Sequence, residues 1–409
     1  MTDPEVVDPV AAEDITTPAA RLASYIRGGG VVVPLLTALI AFFIAGLVVL
    51  VTGHNPLTTY NAIFNGTGLN WLFPWTSGAD RTAAALNLQQ TLIATTPLIL
   101  VGLAVAFAFR AGLFNIGGQG QYTVGAIVAV YFGSKFGGMP HVLHIVLVLV
   151  LACIGGAIWA GIAGLLKATT GANEVISTIM LNWIAIWTGV WLFGLGGPLQ
   201  NPDTPSVPIS SDVTQSAKLP VFWGNPQLQG LHIGLFISLA TVVAFWFLLN
   251  RSTTGYEVRA VGFNPEAARY SGMSVARNYV RVMAYCGVFA GLAGGLDILG
   301  WQFRIATNDV LTSDIGFLGI AVALLGRNTA SGTVAAALLF GALKSGTSQR
   351  NLDPSIFDPS LATNLTLIIQ GLIVLIVSTD VIALRLLRHA RGLRRGRAAP
   401  PPAPEEAPT

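Results

Sequence analysis

Long apolar runs separated by short polar stretches recur from about residue 31 to residue 383. An α-helix needs about 20 apolar residues to cross the hydrocarbon core of a bilayer. The pattern predicts ten spans, at about 31–52, 89–109, 119–133, 142–166, 175–196, 231–250, 282–300, 314–326, 333–347 and 361–383. The apolar parts of two of them, 123–133 and 315–326, are too short to cross a bilayer alone.

Composition and charge support a membrane location. The chain is 53% hydrophobic and 10% charged, whereas a soluble domain carries roughly 25% charge. With both termini on the cytoplasmic side, sixteen of the 22 Lys and Arg residues lie on that side, as the positive-inside rule requires. We therefore predict an all-α polytopic membrane protein, with a cytoplasmic N-terminal tail (1–30), a transmembrane domain (31–384) and a basic, Pro-rich cytoplasmic tail (385–409).

The predicted loops differ in character. Residues 53–88 and 197–230 form outer loops rich in Gly, Pro, Asn and Trp, and 251–281 is an inner loop with five arginines. In this inner loop, Asn264 suits a helix cap, Pro265 the first helical position and Glu266 the positive end of the helix dipole. Gly272 then ends a short helix, which is either a simple connection or a knob that docks on a cytosolic partner through Arg269 and Tyr270.

The stretch FRAGLFNIGGQGQ (109–121) interrupts the apolar pattern before one short segment, and Asp309 and Asp314 lead into the other. The predicted topology runs the two short segments in opposite directions, which is typical of an inverted repeat around a central substrate site. Irregular backbone at membrane depth is tolerated where protein or a wet cavity satisfies it. Asn115, Gln119 and Gln121 are thus candidates for the pathway, with Asp314. A cytoplasmic turn capped by Arg110 is the alternative.

Further polar and small residues lie within the spans. Glu174, Thr178 and Asn182 share one helix face, and Asn182 is the better ligand candidate, whereas Thr178 suits a bond between helices. Trp301 is available for stacking near the outer mouth. Ionisable residues within a membrane are functional by default, although Asp297 and Lys344 lie near span ends, where snorkelling or pairing also explains them. Glycines at 287, 291 and 295 predict close helix packing.

Motifs for covalent chemistry are absent from the sequence. There is no GxxxxGK[ST] phosphate loop, completed GxGxxG, G-x-S-x-G, HExxH or paired-Cys motif, and the five histidines are scattered. We therefore predict no metal site and no catalytic site, and we expect the chain to bind no nucleic acid.

Four separated motifs resemble one family in the right order. FRAGLFNIGGQGQ, NEVISTIMLNWIA, VRAVGFNPEAARYSGM and GFLGIAVALLGRNTASG are similar to motifs of permease subunits from bacterial ABC importers for nucleosides. These permeases belong to the wider group for ribose, other simple sugars and branched-chain amino acids. The similarity covers about residues 31–385. Such permeases often carry a glutamate where this chain has Gln119, so no charge-dependent role is assigned there.

The resemblance implies a ten-helix permease in the bacterial cytoplasmic membrane. It would pair with a second permease chain and two cytosolic ATP-binding subunits, which use ATP and Mg²⁺, and receive nucleosides from an extracytoplasmic lipoprotein. The chain itself would need no cofactor. The loop with GFNPEAARYSGM would contact the ATPase, through Gly262, Asn264, Pro265, Glu266, Arg269, Tyr270 and Gly272. A simple-sugar permease, an ion-coupled secondary transporter and, less favoured, a membrane scaffold remain alternatives.

Overall fold

The computed structural model describes residues 32–225, 230–348 and 359–378. The predicted tails at 1–30 and 385–409 lie outside these residues, as does the end of the last predicted span. The α-helices are α1 (Val32–Val51), α2 (Pro56–Thr67), α3 (Gly78–Arg110), α4 (Gly118–Lys135), α5 (His141–Thr170), α6 (Glu174–Phe193), α7 (Gly234–Arg251), α8 (Thr253–Phe263), α9 (Pro265–Tyr270), α10 (Val275–Asp297), α11 (Thr307–Thr312), α12 (Ile315–Leu325), α13 (Ala330–Gly346) and α14 (Pro359–Ser378).

Irregular elements complete the described chain. A π-helix (Ile298–Gln302) extends α10, and 3₁₀ turns occur at Leu69–Leu72 and Gln215–Ala217. The strands β1 (Val221–Trp223) and β2 (Leu231–His232) pair antiparallel. The described chain is mostly helical, as predicted, and this short two-stranded sheet is an addition that the all-α prediction did not include.

Each of the ten predicted spans overlaps a helix, and the described residues contain seven helical segments that are long and apolar enough to cross a membrane. Of the helices that overlap predicted spans, α4, α13 and α14 lie outside that set. Gln119, Gln121 and Lys135 lower the hydropathy of α4, and α13 has only 17 residues. In α14, the residues whose side chains are described form the shorter apolar helix Asn364–Ile376. The structure therefore supports a multi-pass membrane protein.

One predicted loop and the start of one predicted span were wrong. Residues 53–88 were expected to form a loop, but they contain α2 and the first turns of α3. Asn55 caps α2 by accepting a bond from the Leu57 amide, and Pro56 stands at its start, which is a favourable way to begin a helix. The sixth span was predicted from residue 231, but Leu231 and His232 belong to β2 and the helix begins at Gly234.

Helices α5 and α10 approach each other closely through facing glycines. A Cβ atom on Gly156 would overlap the carbonyl oxygen of Gly287, and one on Gly287 would overlap that of Gly156. Gly291 packs against Ala152 in the same way. The predicted role of the glycines in α10 is thus confirmed, because only residues without a side chain allow this separation between two helix backbones.

The bundle has two ends with different surroundings. At the hairpin end (residues 133–144, 197–225, 230–233 and 298–307), the Thr214 amide donates to Gly133 O at 3.0 Å, and His144 Nδ1 lies 2.8 Å from Ser216 Oγ. At the arginine-rich end (residues 110–117, 167–174 and 251–281), Lys167 pairs with Glu174 at 2.8 Å. The two ends therefore lie on opposite sides of the apolar helices.

Candidate functional site

The first break lies between α3 and α4. Gly112 has φ +70°, which favours glycine, and it turns the chain at the arginine-rich end. The chain then runs without regular structure until α4 starts at Gly118. From there α4 runs toward the hairpin end, where its last turns reach Thr214. The break therefore places the start of a helix inside the protein.

Four of the predicted pathway residues hold this break together or join it to a neighbour. Asn115 and Gln121 exchange two side-chain bonds, with Nδ2 to Oε1 at 3.2 Å and Nε2 to Oδ1 at 2.9 Å. Asn182 Oδ1 accepts from the Gly120 amide at 2.7 Å, and its Nδ2 donates to Ile116 O at 2.9 Å. All three side chains are buried. Asn115, whose Oδ1 also accepts from the Gly117 amide at 2.9 Å, and Asn182 satisfy backbone groups that have few helical partners, and Gln121 holds the Asn115 side chain in place.

Gln119 is the fourth of these pathway residues, and it joins the starts of α4 and α12. Its Oε1 accepts from the Gly316 amide at 2.8 Å, and in the described part of the chain its buried Nε2 has no hydrogen-bond partner. A Cβ on Gly316 would overlap the backbone N and Cα of Gln119. The starts of α4 and α12 therefore meet inside the protein, and α12 leads from this contact back toward Asn328, whose carbonyl bonds Arg110.

The second break follows α10 at the hairpin end. Phe303 has φ +60°, and the Val213 amide donates to its carbonyl oxygen at 2.8 Å. Ser210 bonds Ile305 twice, from its amide to Ile305 O at 2.8 Å and from the Ile305 amide to its Oγ at 2.9 Å. The predicted outer loop thus fastens the chain between the π-helix and α11.

A cavity of about 380 Å³ lies between α3, α4, the π-helix and α11 to α13, within the range typical of small-molecule sites. Asp297 lines it and has no exposed surface. Tyr122 Oη donates to Asp297 Oδ2 at 2.7 Å, and Trp301 Nε1 donates to Oδ1 at 3.1 Å. The cavity wall therefore has a carboxyl group that is bonded by both a phenol and an indole.

The rest of the cavity wall is part apolar and part polar. Ile93, Pro97 and Leu98 come from α3, and Ile315 contributes one residue before Gly316. Lys344 also lines the cavity, and its Nζ pairs with Asp314 Oδ1 at 2.6 Å, with both side chains 43% exposed. A pair this exposed contributes little to stability. Its position at the wall makes it a source of charge near the cavity.

The structure separates the predicted pathway residues into two groups. Trp301 lines the cavity, and Asp314 reaches it through its pair with Lys344. The side chains of Asn115, Gln119, Gln121 and Asn182 are not part of the cavity wall and bond to the breaks instead.

Other lining residues were missing from the predicted site, among them Tyr122, Gln90, Gln302, Asp297 and Lys344. Only the last two carried a signal, since they are ionisable residues within apolar segments.

The short helix predicted in the arginine-rich loop is present as α9. Asn264 Oδ1 accepts from the amides of Glu266 and Ala267, both at 3.0 Å, and Pro265 is the first helical residue. The helix ends at Tyr270, and Gly272 follows with φ +83°. Arg269 is exposed, and Tyr270 is 93% exposed. The cap and the end of this helix are confirmed.

Two contacts near α9 could not be read from the sequence. Ala268 is buried against Val261 and Val275, so α9 is seated on the bundle. Phe263, directly before the cap, is 95% exposed and adds an aromatic ring to the same surface as Tyr270. Gly262 lies under this surface, where a Cβ would overlap Arg110 O and press on Ala111. This contact joins the loop to the first break.

Among the described residues, no group of three His, Cys, Asp or Glu side chains could hold a metal ion. Cys286 is buried and Cys153 is partly buried, and both are free thiols.

Comparisons with known proteins give a consistent result. The model of a family described as branched-chain amino acid transport system / permease component matches residues 87–378. The chain is 40% identical over 316 residues to the guanosine ABC transporter permease protein NupP of Bacillus subtilis (strain 168), covering 77% of this chain and 84% of that protein.

Two further relatives align over nearly the whole chain. The nucleoside ABC transporter permease protein NupB of Lactococcus lactis subsp. cremoris (strain MG1363) is 30% identical over 374 residues, covering 90% of this chain and 96% of NupB. The glucose ABC transporter permease protein TsgB13 of Haloferax volcanii is 33% identical over 374 residues, with 90% and 92% covered. No solved structure matches this chain.

Proposed function

Because the chain belongs to the permease family of branched-chain amino acid transport systems, we propose that it is the membrane-spanning permease of an ATP-driven importer of nucleosides. The relatives NupP and NupB, named for guanosine and nucleoside transport, support this substrate class. In this proposal the chain is a transport subunit in the bacterial cytoplasmic membrane, and ATP is hydrolysed by a separate ATP-binding subunit.

The observation that carries the proposal is the buried carboxylate of Asp297 beside the indole of Trp301 in the cavity wall. A nucleoside is neutral and offers hydroxyl and N–H donors together with a flat aromatic base. A carboxylate accepts such donors strongly, and an indole presents a face for stacking. Apolar residues of α3 and α12 supply the remaining wall, as in most small-molecule sites.

A simple sugar is the second candidate, because TsgB13 is named as a glucose permease and covers nearly the whole chain. Sugar hydroxyls also suit Asp297, so the carboxylate does not distinguish the two substrates. The base makes the difference, since only a nucleoside has an aromatic ring for Trp301. A competition experiment between nucleosides and glucose therefore separates the two candidates.

For the transport cycle, we propose alternating access around the contact between Gln119 and Gly316. The starts of α4 and α12 meet there, and the cavity lies on the hairpin side of the contact. Each long helix, α3 or α10, also packs against the helix that follows the short helix of the other half, which is α13 for α3 and α5 for α10. This arrangement supports an inverted repeat whose two halves tilt about the contact.

Coupling to ATP is assigned to α9 and the residues around it. In the proposed assembly, Phe263 and Tyr270 dock in a cleft of the ATP-binding subunit. Movement of α8 would then reach the first break through the contact of Gly262 with Arg110 and Ala111. A second permease chain and an extracytoplasmic substrate-binding lipoprotein complete the proposed importer.

The function is tested by uptake of labelled guanosine into cells from which only this chain has been deleted. We expect uptake to be lost and to return when the chain is supplied again. Unlabelled adenosine and uridine in excess should compete with guanosine, whereas glucose should not. Unchanged guanosine uptake after the deletion would refute the proposal, and competition by glucose alone would favour the sugar permease.

A further inference from the structure

A second groove, of about 590 Å³, lies at the arginine-rich end between α7, α8 and the start of α13. It shares no lining residue with the cavity that contains Asp297. The proposed transport cycle does not use it. Its chemistry differs from that of the cavity, because Asp297 and Asp309 line the cavity whereas the groove has two cations, an apolar strip and no carboxylate.

The cations are Arg110 and Arg259, and no Asp or Glu is among the residues that line the groove. Arg110 Nε donates to Asn328 O at 3.0 Å, and Arg259 Nη1 donates to Leu249 O. These bonds fix both guanidinium groups at the wall. The groove also includes Ala330 and Ser331 in the first turn of α13, where the helix dipole adds partial positive charge.

The apolar strip belongs to α7. Val243 and Trp246 line the groove and are 65% and 46% exposed, and the guanidinium of Arg251 lies 5.8 Å from the centre of the Trp246 ring. Farther along α7, Leu239 and Phe236 are also exposed. The strip therefore extends from the arginines along the outside of the bundle, where hydrocarbon chains lie in a membrane.

We propose that this groove binds an anionic phospholipid. The phosphate lies against Arg110 and Arg259, since the guanidinium fork matches phosphate oxygens. One acyl chain lies along Val243 and the apolar residues beyond it. A soluble phosphate would use the cations but would gain nothing from the apolar strip. The combination favours a lipid, as in other basic pockets between transmembrane helices.

The site also lies next to the proposed coupling segment. Arg259 is on α8, one turn before Gly262, and Gly262 contacts the backbone of Arg110. A lipid that bridges Arg110 and Arg259 would hold α8 against the first break. The lipid would thereby stabilise the contact through which α9 is joined to the bundle.

The proposal is tested with the purified full chain, first delipidated and then incubated with equal amounts of phosphatidylglycerol and phosphatidylcholine. Native mass spectrometry measures which lipid stays bound. We expect retention of phosphatidylglycerol, about fivefold reduced in Arg259→Gln because a single cation near the surface contributes about that much. Arg277→Gln removes an exposed arginine at the same end but outside the groove, and it should retain the lipid as the unchanged chain does.

Three further measurements test the apolar strip, distinguish the source of the phosphate and control for misfolding. Val243→Asn leaves both arginines in place and should weaken phosphatidylglycerol retention, whereas excess inorganic phosphate should not displace the lipid. Arg259→Lys keeps the charge and serves as the folded reference if Arg259→Gln is poorly recovered; it should retain most of the lipid. Equal retention of the two lipids, displacement by inorganic phosphate, or equal losses in Arg259→Gln and Arg277→Gln would each overturn the proposal.

Discussion

Asp297 is a fully buried carboxylate in a segment that is apolar enough to cross a membrane. Burying a charge is costly unless hydrogen bonds compensate it, and here Tyr122 and Trp301 each donate one bond. Neither donor carries a formal charge, so neither forms an ion pair with the carboxyl group. A residue held in this way beside a cavity is suited to accept hydrogen bonds from a neutral solute.

Asp297→Asn should reduce guanosine uptake about tenfold or more. A hydrogen bond to a charged group contributes roughly 1.5–3 kcal/mol, and 1.4 kcal/mol corresponds to a factor of ten. The amide keeps the size of the side chain but loses one acceptor. Uptake is measured in cells with matched amounts of the chain in the membrane, and Asp203→Asn, in an exposed loop, is the control. Normal uptake by the Asp297 variant would exclude it from substrate recognition.

The amide residues at the first break show which properties of a site single positions in the sequence can predict. Polarity within an apolar region identified Asn115, Gln121 and Asn182 as unusual. It did not identify their partners, because the Asn115 and Gln121 amides bond each other and Asn182 reaches across from another helix. The choice between binding a solute and binding the backbone depends on those partners. The sequence therefore located the break but left the role of its side chains as a prediction.

At the scale of elements, the contact between the starts of α4 and α12 is the main feature. Gly316 is needed there, because any side chain would overlap Gln119. A glycine in a helix normally destabilises it relative to alanine by roughly 0.5–1 kcal/mol. Here the close approach of two helix ends explains why the glycine is favourable.

Gly316→Ala should therefore lower the thermal stability of the purified chain, with a cost of about 1–3 kcal/mol, as for an overpacked core. Gly161→Ala is the matched control. Gly161 also lies within a helix, but a Cβ there would have no neighbour within 4 Å, so the substitution should be neutral or slightly stabilising. Thermal unfolding in detergent, followed by size-exclusion chromatography, compares the two. A Gly316 variant as stable as the Gly161 variant would contradict the close contact.

The surface around α9 gives a second prediction at this scale. Phe263→Ser combined with Tyr270→Ser should reduce co-purification of the ATP-binding subunit about tenfold or more, because fully burying an aromatic side chain contributes roughly 1.5–3 kcal/mol. The chain should still fold, since both rings are almost fully exposed. Tyr256→Ser, at a 59% exposed position of α8, is the control and should leave the complex intact. Equal losses in all variants would place the docking surface elsewhere.

At the scale of the whole molecule, the bundle joins its two ends through the breaks. The loop at the hairpin end is bonded to Phe303 and Ile305, and the loop at the arginine-rich end contacts Arg110. Both breaks therefore link an exposed surface to the helices that surround the cavity. This connection is what a transporter needs if a partner on each side controls access to the solute.

Transport should require ATP and the partner subunit. Proteoliposomes with the complete importer should take up guanosine when ATP is supplied to the ATP-binding subunit. Those with this chain alone should take up none under a proton or sodium gradient. Uptake is measured by filtration of labelled guanosine, and a complete importer without ATP is the control. Gradient-driven uptake by the lone chain would instead support an ion-coupled secondary transporter.

The sequence alone predicted a multi-pass helical membrane protein, both breaks, and the capped helix α9. These features depend on local hydrophobic length and on residues next to each other in the chain, such as Asn264 and Pro265. The tertiary structure decided which side chains meet across the bundle. Asp297 is 175 residues from Tyr122, and Gln119 is 197 residues from Gly316. Contacts at such separations depend on how whole helices pack, and no local pattern in the sequence records that.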